Sequence, residues 1–150
     1  GAARLVDRLL IVVGVNPAKK YMFSETERAG FLEAMIPDMD LSGTPVEIHF
    51  IRNKDLLVQF AASHGATHLF RGIRNAADFG YETEMEQINR KVNPSIQTVF
   101  LTSPANISVI SSSTIKALVG HTDWENIVRS DVHPSVVEAF KRKLEQEGQQ

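Results

Sequence analysis

The segment Arg71-Gly72-Ile73-Arg74-Asn75-Ala76-Ala77-Asp78-Phe79-Gly80-Tyr81-Glu82 sets two arginines and a glycine between a short apolar run and a stretch bearing carboxylates. Guanidinium groups are planar and permanently charged, and they hold phosphate oxygens through paired donors. A glycine between them lets backbone approach a ligand closely. Further on, Ile107-Ser108-Val109-Ile110-Ser111-Ser112-Ser113 places small hydroxyls where a helix should begin. The free N–H groups of a helix start attract anions. Lys19 and Lys20, just past the first apolar run, add two cations. Each feature has a plainer reading: solvated arginines, a serine N-cap or a surface lysine pair. Together they predict a site for a phosphorylated substrate and a nucleotide.

Glu82 and Glu86 are one helical turn apart and repel unless each has a partner. Arg90 serves Glu86; Glu82 is expected to face Arg74 or a ligand hydroxyl. The five histidines form no recognisable metal set, and His49, His121 and His133 read as isolated. No metal-ligand residues are assigned. Neither a Walker loop nor a G-x-G-x-x-G fingerprint is present.

These groups need a scaffold. Arg8 to Val15 reads as a buried strand, because Leu9 to Val13 is unbroken aliphatic sequence. Ser24-Glu25-Thr26-Glu27 is a capping box that opens a helix ending at Pro37. Val46 to Ile51 is a second strand, and Asp55 is placed to cap a short helix that Gly65 ends. Thr67 to Phe70 is a third strand, with Arg71 to Arg74 in the loop beyond it. A helix from about Ala76 to Val92 follows, with Ala77, Tyr81, Met85, Ile88 and Val92 lining one side. Ile96 to Leu101 is a fourth strand, Thr114 to Val119 a two-turn helix, and Pro134 opens a last helix. Alternating strands and helices predict an α/β fold: one mostly parallel sheet, helices on both faces, a single domain. Ligands of such sheets bind beyond the carboxyl ends of the strands, where these loops should gather.

The 150 residues suffice for one domain with a core. Sixteen basic residues against eighteen acidic, with 7% aromatics, exclude a general nucleic-acid binder. The absence of cysteine excludes disulfides and thiol chemistry and fits a cytoplasmic protein. The apolar stretch Leu9 to Val15 is too short to span a bilayer. Asn106-Ile107-Ser108 matches a glycosylation acceptor by chance.

Asn16-Pro17-Ala18-Lys19-Lys20-Tyr21-Met22-Phe23, Arg71-Gly72-Ile73-Arg74, Asp78-Phe79-x-Tyr81-Glu82, Asn89-Arg90 and Ile110-Ser111-Ser112-Ser113 closely resemble, in order and spacing, the bacterial phosphopantetheine adenylyltransferase family. The resemblance implies a Rossmann-like nucleotidyltransferase fold. It implies adenylyl transfer from ATP, carried with magnesium, to 4'-phosphopantetheine, giving dephospho-coenzyme A and pyrophosphate. By position, Lys19 and Arg71 match groups that bind the attacking phosphate, and Leu57 a contact to the pantetheine arm. Gly72, Ile73, Arg74, Glu82 and the stretch Ile107, Ser108, Val109, Ile110, Ser111, Ser112 and Ser113 match ATP positions; Lys19 and Arg74 carry the catalytic assignment. The resemblance also implies a homohexamer that coenzyme A inhibits. It departs at the start. The family's first strand, its Gly-Thr-Phe-Asp-Pro loop and its His- or Thr-x-Gly-His signature have no counterpart before Gly1-Ala2-Ala3-Arg4. The expectation is a piece of a longer enzyme; the alternatives are a non-catalytic nucleotide- or coenzyme A-binding module and a related nucleotidyltransferase.

Overall fold

Leu9–Val15 forms strand β1, and Val46–Arg52 forms β2; the two run parallel, with Leu9 opposite Val46 and Val15 opposite Arg52. A computed structural model describes residues 1–16, 18–52, 56–103 and 110–148 of the chain. Asp55, Ile107, Ser108 and Val109 lie outside the described residues. Helix α1, Glu25–Met35, lies between β1 and β2 in the chain and runs into a 3-10 turn at Ile36–Asp38 that contains Pro37.

Helix α2, Leu57–Ser63, begins after Leu56, with Leu57 its first residue. Gly65 follows at φ +70°, a left-handed conformation that glycine adopts without a steric penalty. Strand β3, His68–Ile73, pairs in parallel with β4, Gln97–Thr102, and the two are joined by helix α3, Ala76–Val92. β3 is longer than expected. Arg71, Gly72 and Ile73 belong to the strand, paired with Phe100, Leu101 and Thr102, and the loop starts at Arg74. The backbone ladder, not residue polarity, decides where a strand ends, and β4 supplies partners up to Thr102. At Gly72 an added Cβ would meet nothing within 4 Å, so the structure shows no close backbone approach there.

The expected single sheet is two two-stranded parallel sheets among the described residues, β1–β2 and β3–β4. The hydrogen bonds show why. Leu9 N–H donates to Pro45 C=O, so Leu9, Ile11 and Val13 turn their backbone groups toward β2, while Leu10 and Val12 turn theirs the other way. Gln97 donates to Thr67 C=O and Ser103 to Ile73 C=O, so Leu69 and Arg71 face β4, while His68 and Phe70 face away. Leu10, Val12, His68 and Phe70 all line a groove of about 650 Å³, which has β1 and β3 on its walls and Leu57, Phe60 and Ala61 of α2 beside them.

Contacts divide the chain into two compact units, Gly1–Glu25 with Asp40–Pro104 and Thr26–Met39 with Ala105–Gln150. In the first, Val58, Ala61, Leu69 and Ile96 form a buried cluster against Leu57 and Ala66. Burying a side chain such as Val58 contributes about 1.5–3 kcal/mol. The second contains α4, Ser112–Leu118, α5, Trp124–Val128, and α6, Pro134–Glu147. Its core is Ile115, Trp124, Val128, Val137, Ala139 and Phe140, with Trp124 and Phe140 edge to face at 6.1 Å. Helix α5 has no counterpart in the sequence reading; five residues are too few to show a helical period. In α6 the apolar residues Val137, Phe140 and Leu144 share a stripe, of which Val137 and Phe140 are buried and Leu144 is half-buried.

The α3 stripe is a correction. Tyr81 is 60% exposed and Ile88 49%, while Asp78, Glu82 and Glu86 are turned inward. A second period of four runs through those carboxylates, and each finds an arginine. Of these pairs only Arg71–Glu82 ties α3 to another element, β3; the other two are local to the helix and its start.

Candidate active site

Asn16 organises the loop after β1. Its side-chain Oδ1 accepts from Ala18 N–H at 2.9 Å, and its carbonyl accepts from Lys19 N–H at 2.9 Å. Asn16 N–H donates to the Tyr21 hydroxyl at 2.9 Å, drawing the far side of the loop back to its start. Lys19 is therefore carried on a closed turn with its side chain exposed. Asn and a following turn are readable from sequence. The Tyr21 contact is not, because nothing in residue order indicates where a ring folds back.

Arg71 projects from β3 onto α3. Its Nε donates to Glu82 Oε2 at 2.6 Å and its Nη2 to Glu82 Oε1 at 2.5 Å. The Arg71 side chain is 38% exposed and that of Glu82 13%. Hydrogen bonding to Glu82 raises the Arg71 pKa against the opposing effect of burial. Glu82 thus pairs with Arg71, not with Arg74. The strand extension explains it: with Arg71 in β3, its side chain reaches the second turn of α3.

Arg74 pairs locally. Its Nε donates to Asp78 Oδ2 at 2.8 Å, its Nη2 to Oδ1 at 3.2 Å, and its backbone N–H to Oδ2 at 3.1 Å. Asp78 N–H in turn donates to Asn75 Oδ1 at 2.9 Å, the N-cap of α3. These contacts hold the Asp78 carboxyl below the usual carboxylate range, the Arg74 side chain first and its N–H second. The i, i+4 spacing of Arg74 and Asp78 was a readable signal for this pair. Arg90 and Glu86 pair as their spacing implies, Nε to Oε1 at 2.8 Å.

The serine run belongs to the second unit. Ser111 is the N-cap of α4: its Oγ accepts from Thr114 N–H at 3.1 Å and lies 2.8 Å from both Ser113 Oγ and Thr114 Oγ1. The helix starts at Ser112, two residues before Thr114, so Ser112 and Ser113 form its first turn. Ile110 precedes the cap and is half-buried. Among the sequence-derived candidates the structure therefore brings Arg71 to Glu82 and seats Arg74 on the start of α3. Lys19 and Leu57 sit on other segments of the same unit.

Two of the histidines read as isolated, His49 and His133, have partners. His49 is not isolated: its ring lies 4.9 Å from that of His64, which stacks on Phe60 at 4.0 Å. His133 caps α6 and lies 3.1 Å from Asp38. Among the described residues no three His, Asp or Glu side chains converge as metal ligands.

Both arginines spend the same edge, Nε with Nη2, on a carboxylate. A guanidinium has five N–H donors, so among the described residues the Nη1 side keeps donors for another oxyanion. Donors of that kind suit phosphate oxygens.

Comparison with known proteins agrees. Residues 1–118 match the cytidylyltransferase-like family. The chain is 37% identical over 128 residues to phosphopantetheine adenylyltransferase of Chromobacterium violaceum, covering 85% of this chain and 75% of that protein. It is 34% identical to the protein of that name from Neisseria meningitidis, over 91% of this chain and 78% of the relative. For the one from Latilactobacillus sakei the identity is 35%, over 95% and 82%. With its paired parallel strands and its Arg-Gly-x-Arg segment in place, the chain belongs to the phosphopantetheine adenylyltransferase family of Rossmann-like nucleotidyltransferases.

Proposed function

We propose that the protein transfers the adenylyl group of ATP to 4'-phosphopantetheine, releasing pyrophosphate and dephospho-coenzyme A. The observation that carries this reading is the Arg71 guanidinium, fixed through one edge by Glu82 at 2.5–2.6 Å and keeping further donors for a phosphate. Family membership supplies the chemistry.

In the reaction an oxygen of the pantetheine phosphate forms a bond to the α-phosphorus of ATP. The bond from that phosphorus to the oxygen bridging to the β-phosphate breaks, and pyrophosphate departs with the electron pair. The attacking phosphate is anionic at neutral pH, so no strong base is needed. Positioning and charge stabilisation suffice. Lys19 and Arg71 orient the attacker, and Leu57 contacts the pantetheine arm. Arg74, with Gly72 and Ile73, holds ATP, which enters with magnesium as part of that substrate. Ile110 and Ser111 to Ser113, with Ile107, Ser108 and Val109, complete the ATP assignment by resemblance.

The reading extends to a homohexamer that coenzyme A inhibits. The exposed apolar residues Tyr81, Ile88 and Val92 on one side of α3 support self-association. Among the described residues no helix is long and apolar enough to cross a membrane, and the proposed site of action is the cytoplasm. The groove between β1 and β3, with backbone groups of four residues turned into it, supports a further parallel strand of the kind the family has at its start.

Pyrophosphate release from ATP, measured with and without 4'-phosphopantetheine, tests the function. Release that depends on 4'-phosphopantetheine is expected. Binding of both ligands without release would replace the enzyme by a binding module, and release with a different acceptor would point to a related nucleotidyltransferase.

A further inference from the structure

We infer that the Tyr21 hydroxyl positions Lys19: it closes the turn after β1 and so sets affinity for the phosphate of 4'-phosphopantetheine. The inference rests on the proposed function and adds to it a residue that acts through another.

A lysine is a compact charge on a flexible four-carbon stem, and its reach is only as defined as the backbone that carries it. Here that backbone is organised by one residue, Asn16. Its Oδ1 accepts from Ala18 N–H at 2.9 Å and its carbonyl accepts from Lys19 N–H at 2.9 Å. Its own N–H donates to the Tyr21 hydroxyl at 2.9 Å. The first two bonds are local and form with the turn itself. The third spans five residues and joins the chain beyond Lys19 to the chain before it. Asn16 also follows β1 on the parity that turns away from β2. The β2 ladder therefore does not supply a partner for its N–H, and the phenol does.

Burial gives the turn its character. Val15, just before it, and Phe23, just after it, are buried, whereas Ala18, Lys19 and Lys20 are exposed. An exposed turn held by local bonds alone opens readily, because water competes for each of them. The Tyr21 bond restricts that opening between two buried anchors, before any ligand arrives. A group already in place costs less to order on binding. Tyr21 is itself 36% exposed, so its hydroxyl works against water too, and the effect of removing it is moderate.

Calorimetric titration of the full chain with 4'-phosphopantetheine and, separately, with ATP tests the inference. Tyr21→Phe keeps the ring and removes only the hydroxyl. It should weaken 4'-phosphopantetheine about fivefold, the worth of one neutral hydrogen bond, and ATP by less than about twofold. Asn16→Ala loosens the same turn from its other end and should weaken the same ligand while sparing ATP. In a Lys19→Ala background Tyr21→Phe should add nothing, because a residue acting through another has no effect once that other is gone. Damage to the fold at large would lower both affinities and would persist in the Lys19→Ala background, so the two readouts separate positioning from misfolding. An equal loss of ATP affinity would overturn the inference, as would a further loss in the double variant. If Lys19→Ala itself leaves 4'-phosphopantetheine binding intact, the lysine does not hold that phosphate and the inference is lost. If both ligands bind and Tyr21→Phe changes neither, the function stands and only the inference fails. If the unaltered protein binds ATP but not 4'-phosphopantetheine, the proposed function fails and this inference falls with it.

Discussion

Arg71 and Arg74 stand three residues apart in one motif, yet they are held in different ways. Both give the Nε–Nη2 edge to a carboxylate. Arg71 reaches across from a strand to the second turn of a helix, and its partner is largely covered. Arg74 lies just before the N-cap of α3, with a half-buried partner four residues on that also accepts its own N–H. The orientation of Arg71 is therefore a property of the tertiary fold. That of Arg74 is a property of a helix N-terminus, and it forms with the helix. Two arginines in one short motif can thus serve two substrates without sharing a support.

Removing the arginines should break the comparison most sharply. Arg71→Ala should raise KM for 4'-phosphopantetheine about 100-fold, the loss of two charge-assisted bonds to a phosphate, and leave KM for ATP within about threefold. Steady-state kinetics with each substrate varied in turn check it, and unchanged 4'-phosphopantetheine kinetics would remove Arg71 from that subsite. Arg74→Ala should show the reverse preference and a smaller effect, about tenfold in ATP, because an exposed guanidinium competes with water for its partners. Equal effects of the two substitutions on both substrates would mean that the motif binds one ligand as a unit.

Much of this arrangement was legible in residue order, and the exceptions share a cause. The bounds of α3 follow from Asn75 as N-cap and Pro94 beyond its end. The strands follow from aliphatic runs, and the lysine turn from Asn16. The rotation of α3 was not readable, because two faces of it carry a period of four: one apolar, through Tyr81 and Ile88, and one acidic, through Asp78, Glu82 and Glu86. Periodicity identifies faces but does not say which of them turns inward. Arg71 looked like a loop residue because it is charged, yet the strand continues wherever a neighbour supplies hydrogen bonds. The Arg71–Glu82 pair depends on both of these points, so it could not be anticipated. The Arg74–Asp78 pair depends on neither; its spacing offered a signal, although the expectation had set Arg74 against Glu82. Separation of the strands into two sheets is likewise a matter of which edges meet, and local sequence does not encode that.

A change at Asp78 should touch one arginine and spare the other. Asp78 is lowered in the folded state by Arg74. A group whose pKa is depressed by folding stabilises fully above its unfolded value, about 3.9 for Asp, and that contribution is lost as pH falls through the lower folded value. The stability difference between the unaltered protein and Asp78→Asn should therefore hold at neutral pH and shrink toward nothing as pH falls below about 4. Thermal unfolding across that range measures it. A difference that stays constant into strong acid would mean that ionisation of Asp78 does not support the turn.

The finest distinction is in the backbone. The parity of the β3–β4 ladder points the Arg71 N–H at β4, whereas the Arg74 N–H is held by the Asp78 carboxylate at 3.1 Å. Hydrogen exchange should then respond unequally to Asp78→Asn: faster at the Arg74 amide, unchanged at Arg71. In the unaltered protein the same parity predicts alternation, with Leu69 and Arg71 protected and His68 and Phe70, whose N–H groups face the groove, exchanging faster. Uniform protection along His68 to Phe70 would show that something already occupies the groove edge of β3. Acceleration at Arg71 in the Asp78 variant would show that the two arginines share a support after all, because the strand pairing would then depend on the first turn of the helix.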